Sequence, residues 1–545
     1  MKKTLALILA VLMLVSCTAL AEEDLFAEPW TLSFVSWNCG EIVDDNVAEL
    51  WLEEKFNVEI TATRVDLSNT EQKNLMLASG EMPEAGWQVG GSTLYTDQGL
   101  TRLIPVEMVR KYAPNYAAAL DADPIGWQYN YEADEDALSA LTGITTGDSK
   151  GLMCVRLDWM ETLGLKIPEY EEIPALNGTA YEGKIFKTEY QFTADELYEV
   201  MYAFTWNDPD GNGQNDTTGV VGNSTLTNFG GGFMWNMFGL HWGRSADFNN
   251  GYDENGEFYM TYTSKEYKEA LRYWAKAYAD KLIDQEYVAI NTNQGMWEKF
   301  ANGRAGIGGT MAAWGSAMTE RPPYGPITMG DEKAKVLVMP HPTDNEGNYA
   351  ANRYSVTAYN YNFVVREDVD DEKLAKILAM FDFMNFDPEA QIFLRCGQDG
   401  VHHDVLATGG YAFKEGVGSG KEWGFGVYNA NYIQTEYSYK YVNNAYQSSM
   451  NLWAADFYAD ATINPAHCNL FTNDATENFK EVGDLYNAAV NTVVSEYMTA
   501  VITGEKDLDA TWDEYIEELK LNGYDEICAA RAQLPTFEQF MAGEF

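Results

Sequence analysis

The stretch TLSFVSWNCGEIVDDNVAELWLEEKFNVEITATR, residues 31–64, decides the fold class. Its two ends, Thr31–Trp37 and Val58–Arg64, are short runs rich in β-branched and aromatic residues that predict strands. Asp44–Phe56 between them has the apolar periodicity of a helix. Strand, helix, strand is α/β order. Outward from it, a helix is predicted over Asn69–Ala78, stopping at Gly80, with a short strand after Pro83. Ser264–Ala279 opens on a capping serine and keeps apolar residues at helical spacing. Asp371–Asn385 and Thr476–Ile502 read as further helices, so the C-terminal third is helix-rich. Neither repeats nor low-complexity tracts occur, and the glycine runs at 230–232 and 416–420 are too short to link domains.

A chain of 545 residues exceeds what one core usually serves, which predicts two or more domains. Lys2 and Lys3 precede an apolar run, Leu5–Val15, too short to span a bilayer but suited to a signal peptide, so the protein is expected to be exported. Two endings are open. Ala19-Leu20-Ala21 is a small-residue cleavage site, giving a signal peptide over residues 1–21; Leu14-Val15-Ser16-Cys17 is similar to a lipobox, giving a leader over 1–16 and a lipidated Cys17. The formal net charge is -47, and without the two leader lysines 34 basic residues face 83 acidic ones, or -49. Such a field repels nucleic acid and anionic lipid. It also favours a neutral solute over a polyanion. Six cysteines, at 17, 39, 154, 396, 468 and 528, lack the close pairing of a zinc site and outline no disulfide framework.

The loop DPDGNGQND, Asp208–Asp216, sets oxygen-bearing side chains at alternate positions around two glycines. Asp208, Asp210, Asn212 and Asp216 offer side-chain oxygens, and Gln214 stands where a backbone carbonyl serves in a calcium loop. Gly213 is sixth, at the sharp turn, but Gly219 holds the twelfth position in place of the bidentate Glu of a calcium sensor. A structural calcium site and a plain run of Asx turns are both open at this point.

Catalytic motifs are sparse. His402-His403-Asp404 is the one cluster suggesting metal or acid–base chemistry, and it falls in a predicted loop. No HExxH, GxSxG or P-loop is present. A glycosidase carboxylate pair is defined by spatial separation, which sequence does not carry.

Several segments together resemble the extracellular solute-binding proteins, family 1, of bacterial ABC sugar importers. They are LASGEMPEAG (77–86), DQGLTRLIP (97–105), FTADELYEVMYAFTWNDPDGNGQND (192–216), LIDQEY (282–287), FANGRAGIGG (300–309) and ITGEKDLDATWDEYIEELKLNGYDE (502–526). VRLDWMETLGLKIPE (155–169) is similar to a signature of the large-chain branch that includes the lipoprotein LplA and alginate-binding proteins. The resemblance implies an α/β, two-lobed periplasmic-binding-protein-like fold of type II, with discontinuous lobes joined by a hinge. The chain crossings are placed near Cys154–Arg156, Ile307–Met311 and Tyr359–Val365. The expected lobes are therefore 22–155 plus 310–362 and 156–309 plus 363–545. It further implies a monomeric, non-enzymatic carrier that captures an oligosaccharide, neutral by the charge argument above, and delivers it to a membrane permease, touching the membrane only through Cys17; a secreted glycan-active hydrolase and a sensory solute-binding module are the alternatives. Alginate-binding relatives hold a structural calcium in a loop similar to Asp208–Asp216, with an acidic residue after the last Asp. Here that residue is Thr217.

Sugars stack on aromatic rings and hydrogen-bond to planar polar groups. Trp87, Trp235 and Trp314 lie where the family's maltodextrin-type members carry cleft aromatics, with core packing as the alternative for each. Trp37, at the end of the first predicted strand, points to the edge where open α/β sheets bind ligands, and Tyr361 lies near the third crossing.

Overall fold

The computed structural model describes residues 25–542 apart from 37–42, 65–74, 77–81, 90–95, 97, 123–125, 133, 145–150, 225, 227–231, 241–250, 312–320, 350–351, 354–360, 406–410, 415–423, 425–432, 434–444, 459–461, 464–465 and 468–473. Trp37, Trp314, Cys17 and the leader, and most of the helix expected at 69–78, lie outside the described residues.

The opening stretch folds as β1 (Trp30–Ser36), α1 (Val47–Phe56) and β2 (Val58–Arg64). Helix α1 starts where Asn46 accepts a hydrogen bond from the Glu49 amide at 3.0 Å, and it ends where Asn57 turns left-handed. An Asn at each terminus confines the helix to its apolar segment. Strand β3 (Ala85–Val89) follows, then α2 (Val106–Tyr112), α3 (Pro114–Asp121) and the two-residue β4 (Leu141–Thr142).

A second body then begins with β5 (Gly151–Arg156) and α4 (Leu157–Leu163). Strand β5 is buried along its whole length because both its faces are covered. Met153 and Val155 belong to one core, and Leu152 and Cys154 to another. Next come β6 (Glu171–Glu172), β7 (Ile185–Lys187), α5 (Ala194–Trp206), β8 (Thr218–Val220), α6 (Lys265–Ala279), α7 (Asn293–Ala301), β9 (Ala305–Met311) and β10 (Val336–Met339). The chain returns to the first body with β11 (Tyr361–Val365), α8 (Asp371–Phe386) and α9 (Pro388–Cys396). It closes the second with α10 (Ala445–Phe457), α11 (Asp474–Ile502), α12 (Leu508–Leu521) and α13 (Tyr524–Arg531).

The first sheet has the order β2-β1-β3-β11-β4 and the second β8-β9-β5-β10-β7-β6. The first core gathers Phe34, Leu52, Trp87, Phe363 and Phe381; the second gathers Val155, Phe204, Trp274, Tyr497 and Tyr515.

The lobe bounds differ from expectation. Strands β5 and β9 pair with each other from Ile307 opposite Val155 to Met311 opposite Gly151, and β10 flanks β5 on its other side. A strand held on both edges cannot leave its sheet mid-run without stranding backbone groups. Residues 310–311 and 336–339 therefore belong to the second sheet. Helices α8 and α9 bury Leu374, Ile377, Phe381 and Leu394 in the first core rather than the second. The passages between bodies fall in connections instead, after β4, between β10 and β11, and after α9.

Candidate functional site

Strands β1, β2 and β3 run parallel and end together at Ser36, Arg64 and Val89, while antiparallel β11 begins there with Tyr361 opposite Val89. In the second sheet β8 and β9 are parallel, as are β7 and β10, and β5 runs against β9 and β10. Each sheet thus presents one edge of strand C-termini, where open α/β sheets bind ligands.

On that edge of the first sheet, Asn130 Nδ2 donates to Thr142 Oγ1 and to Asn362 Oδ1, both at 2.7 Å, and the Tyr116 hydroxyl donates to the Thr142 carbonyl. On that edge of the second, Asn223 follows β8 and its Nδ2 lies 3.4 Å from Asn293 Oδ1. His341 follows β10, and its carbonyl accepts from Gln191 Nε2 at 2.8 Å. Thr310 Oγ1 donates to the Pro322 carbonyl, which draws Arg321 to the end of β9 with its guanidinium 4.3 Å from the Trp297 ring centroid. These planar polar groups suit sugar hydroxyls. Sequence reading missed them because isolated Asn, Gln and Arg residues form no motif until a sheet edge lines them up.

The aromatic expectations fare differently. Trp87 is 1% exposed and packs edge-on against Phe363 at 5.6 Å. Trp235 is fully buried, stacked on Tyr267, with Nε1 donating to the Leu226 carbonyl at 2.8 Å. Both are core residues because their neighbours on α8 and α6 present apolar faces to them, so neither offers a ring to a ligand. Tyr361 opens β11, its backbone paired opposite Val89.

The oxygen-rich loop stands at the opposite edge of the second sheet, between the end of α5 and the start of β8. It folds around Asn212. The Asn212 amide donates to Asp208 Oδ1 at 3.0 Å and Asp210 Oδ1 at 3.2 Å, and Nδ2 donates to Asp210 Oδ2 and Asp216 Oδ1. The Gly213 amide donates to Asp208 Oδ2, and the Gln214 amide to Asn212 Oδ1. Arg304 ion-pairs with Asp216. Loss of water, with Asp208 and Asp216 close by, raises the Asp210 carboxyl above its usual range. Hydrogen bonds from Asn212 and Arg304 lower that of Asp216.

Thr217 turns inward, its hydroxyl donating to the Phe204 carbonyl at 2.6 Å, so it supplies nothing to the loop. Gly219 cannot be replaced by a twelfth-position Glu, since a Cβ there would meet Met201 Cβ at 2.6 Å. The donor set is hard oxygen and suits calcium, and the Arg304 guanidinium already stands at Asp216 as a cation would. Among the described residues, though, no three His, Cys, Asp or Glu side chains are gathered as a metal site. The loop's acceptors face its own amides.

The histidine pair has a structural place: His403 Nδ1 bonds the Cys396 carbonyl at 2.9 Å, and His402 Nδ1 accepts the Gln398 amide.

Lipoprotein LipO of Bacillus subtilis is 27% identical over 372 residues, 65% of this chain and 63% of LipO. The fructooligosaccharide ABC transporter substrate-binding protein FusA of Streptococcus pneumoniae is 26% identical over 248 residues, 43% of this chain and 41% of FusA. In sequence the chain is similar to a bacterial lipoprotein and to an ABC-transporter substrate-binding protein. The alignments span less than two thirds of each relative's length. Among solved structures, an EF-hand mutant of the binding protein FusA in complex with fructo-nystose superposes with TM-score 0.67 at 17% identity, covering 94% of this chain and 100% of that one. Alginate-binding protein AlgQ2 without calcium ion gives 0.62 at 19%, covering 94% and 98%. These likenesses establish the two-lobed solute-binding fold. A family model described as a domain of unknown function, DUF3502, matches residues 485–538. In this binding-protein fold that segment is α11–α13, whose Val494, Tyr497, Tyr515, Leu519 and Ile527 lie in the second core, so it completes a lobe rather than forming a unit of its own.

Proposed function

We propose that the chain is the extracellular substrate-binding protein of an ABC importer, capturing an oligosaccharide between its lobes and delivering it to a membrane permease without chemistry on the ligand. The observation that carries this is the pair of open sheets, each with an edge of strand C-termini bearing planar polar side chains, on a chain whose relatives bind sugars. Closure of the lobes about the connecting segments would bring the two edges onto one ligand. Asn130, Asn362, Asn223 and Arg321 then supply hydrogen bonds, and Trp37, Trp314 and Tyr361 supply rings.

The charge of -47 favours an uncharged sugar, since a polyanion would have to find local cations against the whole field. Export by the N-terminal leader, with either cleavage after Ala21 or a lipid on Cys17, belongs to the same reading, as does action as a monomer. Among the described residues no helix is long and apolar enough to cross a membrane.

Calcium at Asp208–Asp216 is also proposed, as a structural ion. It would neutralise the three carboxylates, with Asp208, Asp210, Asn212 and Asp216 as side-chain donors and Gln214 through its carbonyl. The loop's place at the far edge of the sheet keeps it off the ligand.

A thermal-shift panel of neutral and acidic glycans tests the transport reading, because a ligand bound only by the native state stabilises it by RT ln(1 + [L]/Kd). Neutral oligosaccharides should raise Tm. A shift with peptides and none with glycans would overturn the assignment. Chelation should lower Tm in the wild type and leave Asp208→Ala unmoved, without altering which glycan binds.

A further inference from the structure

Two deeply buried cations of this chain are matched by carboxylates: Arg156 meets Asp158 and Asp331, and Lys376 meets Glu372. Arg395 is treated differently. The last turn of α9 holds it 8% exposed, about as deep as Lys376, and it forms no ion pair among the described residues. Of the five N–H donors of a guanidinium, one has a partner: Nη2 donates to the Ile433 carbonyl at 3.1 Å, while Nε is buried without any. Loss of water lowers the Arg395 pKa to about 10, so the group is still a cation at neutral pH.

A charge taken out of water needs a counter-charge, and a chain with 83 carboxylates supplies none here. Gln391 Oε1, one turn earlier on the same face of α9, is buried and unpartnered as well. A water shared between it and Arg395 Nε would complete both hydrogen bonds and leave the charge as it is.

The place of this charge points to what balances it. Ile433 forms a parallel bridge with Ile144, two residues beyond Thr142 at the end of β4 and on the connection to β5 in the second body. Thr142 belongs to the polar edge of the first sheet, where Asn130 donates to it and to Asn362. The guanidinium thus stands beside the edge whose planar groups suit sugar hydroxyls. Reading one more hydroxyl would need only a neutral amide, with less loss of hydration. A cation there is matched by an anion that arrives with the ligand.

Resting on the transport reading above, we infer that Arg395 determines specificity in this carrier by pairing with a single carboxylate on the captured oligosaccharide, a uronic acid unit in an otherwise neutral chain. One acid group agrees with the charge of the protein. The field of -47 repels a polyanion at long range, whereas a buried cation acts on one carboxylate at contact, where salt screens little.

The test is calorimetric titration of the full-length wild type, Arg395→Met and Arg395→Lys with neutral di- to tetrasaccharides, each beside its mono-uronic acid and the methyl ester of that acid. The wild type should bind an acid about ten- to hundredfold more tightly than its neutral parent and its ester, the size of a hydrogen-bonded charge contact. Arg395→Met should bind all three alike, and Arg395→Lys should keep part of the preference. Without ligand, Arg395→Met should melt no lower than wild type, since it sheds a buried charge. A folded Arg395→Met that keeps the preference overturns the inference, and a lower melting point alongside marks the residue as structural. A wild type that binds neutral glycans as tightly as their acids also overturns it and leaves the transport reading intact. Binding of no glycan of any kind overturns both. If Arg395→Met does not fold, the Arg395 Nε–H resonance of the wild type, assigned by its loss in Arg395→Lys, decides. It should shift with the acid and not with the ester, and an unmoved signal at saturating acid overturns the inference.

Discussion

Trp235 lies flat on Tyr267, ring centroids 5.4 Å apart and planes 7° from parallel, with Trp274 tilted against it at 5.7 Å. An aromatic placed in this way is a keystone of the second core, not a sugar platform. Trp235→Ala should cost about 3–5 kcal/mol of unfolding free energy. Trp235→Phe should remain folded and bind the same glycans with Kd changed less than about twofold, since no ligand contact is lost. A Phe variant of native stability that loses ligand would return Trp235 to the cleft.

The segment that gives the sharpest family likeness owes its pattern to a buried cation. Arg156, 2% exposed, bonds Asp158 and Asp331 at 2.7 Å each and lies 4.7 Å from the Trp159 ring centroid. Arg156→Met leaves Asp158 half-enclosed without its partner and should cost about 3–5 kcal/mol. Asp331→Asn, at the exposed end of the network, should cost about 1 kcal/mol or less. Urea denaturation of the two variants distinguishes them, and equal losses would mean that the network is not anchored at Asp158.

His341 supplies the pH dependence. Burial lowers its pKa from 6.5 to about 3, and its amide donates to the Tyr458 hydroxyl at 2.8 Å. The folded state therefore keeps the ring neutral where the unfolded chain protonates it. The contribution is fully present above about pH 6.5 and falls by about 1.4 kcal/mol per pH unit as pH drops from there towards 3. His341→Asn should remove this part of the slope between pH 6.5 and 4.5. Parallel stability–pH curves for wild type and variant would exclude the assignment.

Residues 485–538 should not be dispensable. Tyr524 Oη accepts the Met260 amide at 2.9 Å, the Tyr515 hydroxyl donates to the Tyr262 carbonyl at 3.0 Å, and Asp509 pairs with Lys268 and Arg272. A chain ending at residue 484 exposes the side of α6 that these helices cover. It should bind hydrophobic dyes and lose its cooperative melt, as seen by calorimetry; a sharp transition would show that the second core stands without them.

Much of this was legible beforehand, and the part that was not has a physical cause. Helices α1, α6 and α8 declare themselves through caps and period, Asn46, Ser264 and Asp370 each accepting from an amide in the first turn, and α11 through its period. The α/β order of residues 31–64 is local, and it held. The lobe bounds were misread because crossing points depend on which sheet a strand joins, and β5, β9 and β10 find their partners across long stretches of chain. Trp87 and Trp235 were misread because an aromatic beside a strand end packs inward or outward according to what covers it. For Trp87 that cover is α8, almost 300 residues later. The pairing of Arg304 with Asp216 was invisible for the same reason, since 88 residues separate the two.

The route of the chain between its two bodies also bears on its birth. Emerging from the ribosome N-terminus first, residues 30–142 supply β1 to β4 and their helices but wait for β11, α8 and α9 before Trp87 and Phe363 are sealed. The second body begins later and waits longer, until α11–α13 arrive at the very end. Neither half can finish early. A nascent chain built this way stays unsealed for most of its synthesis, with apolar surface of both cores open to aggregation until the closing helices emerge.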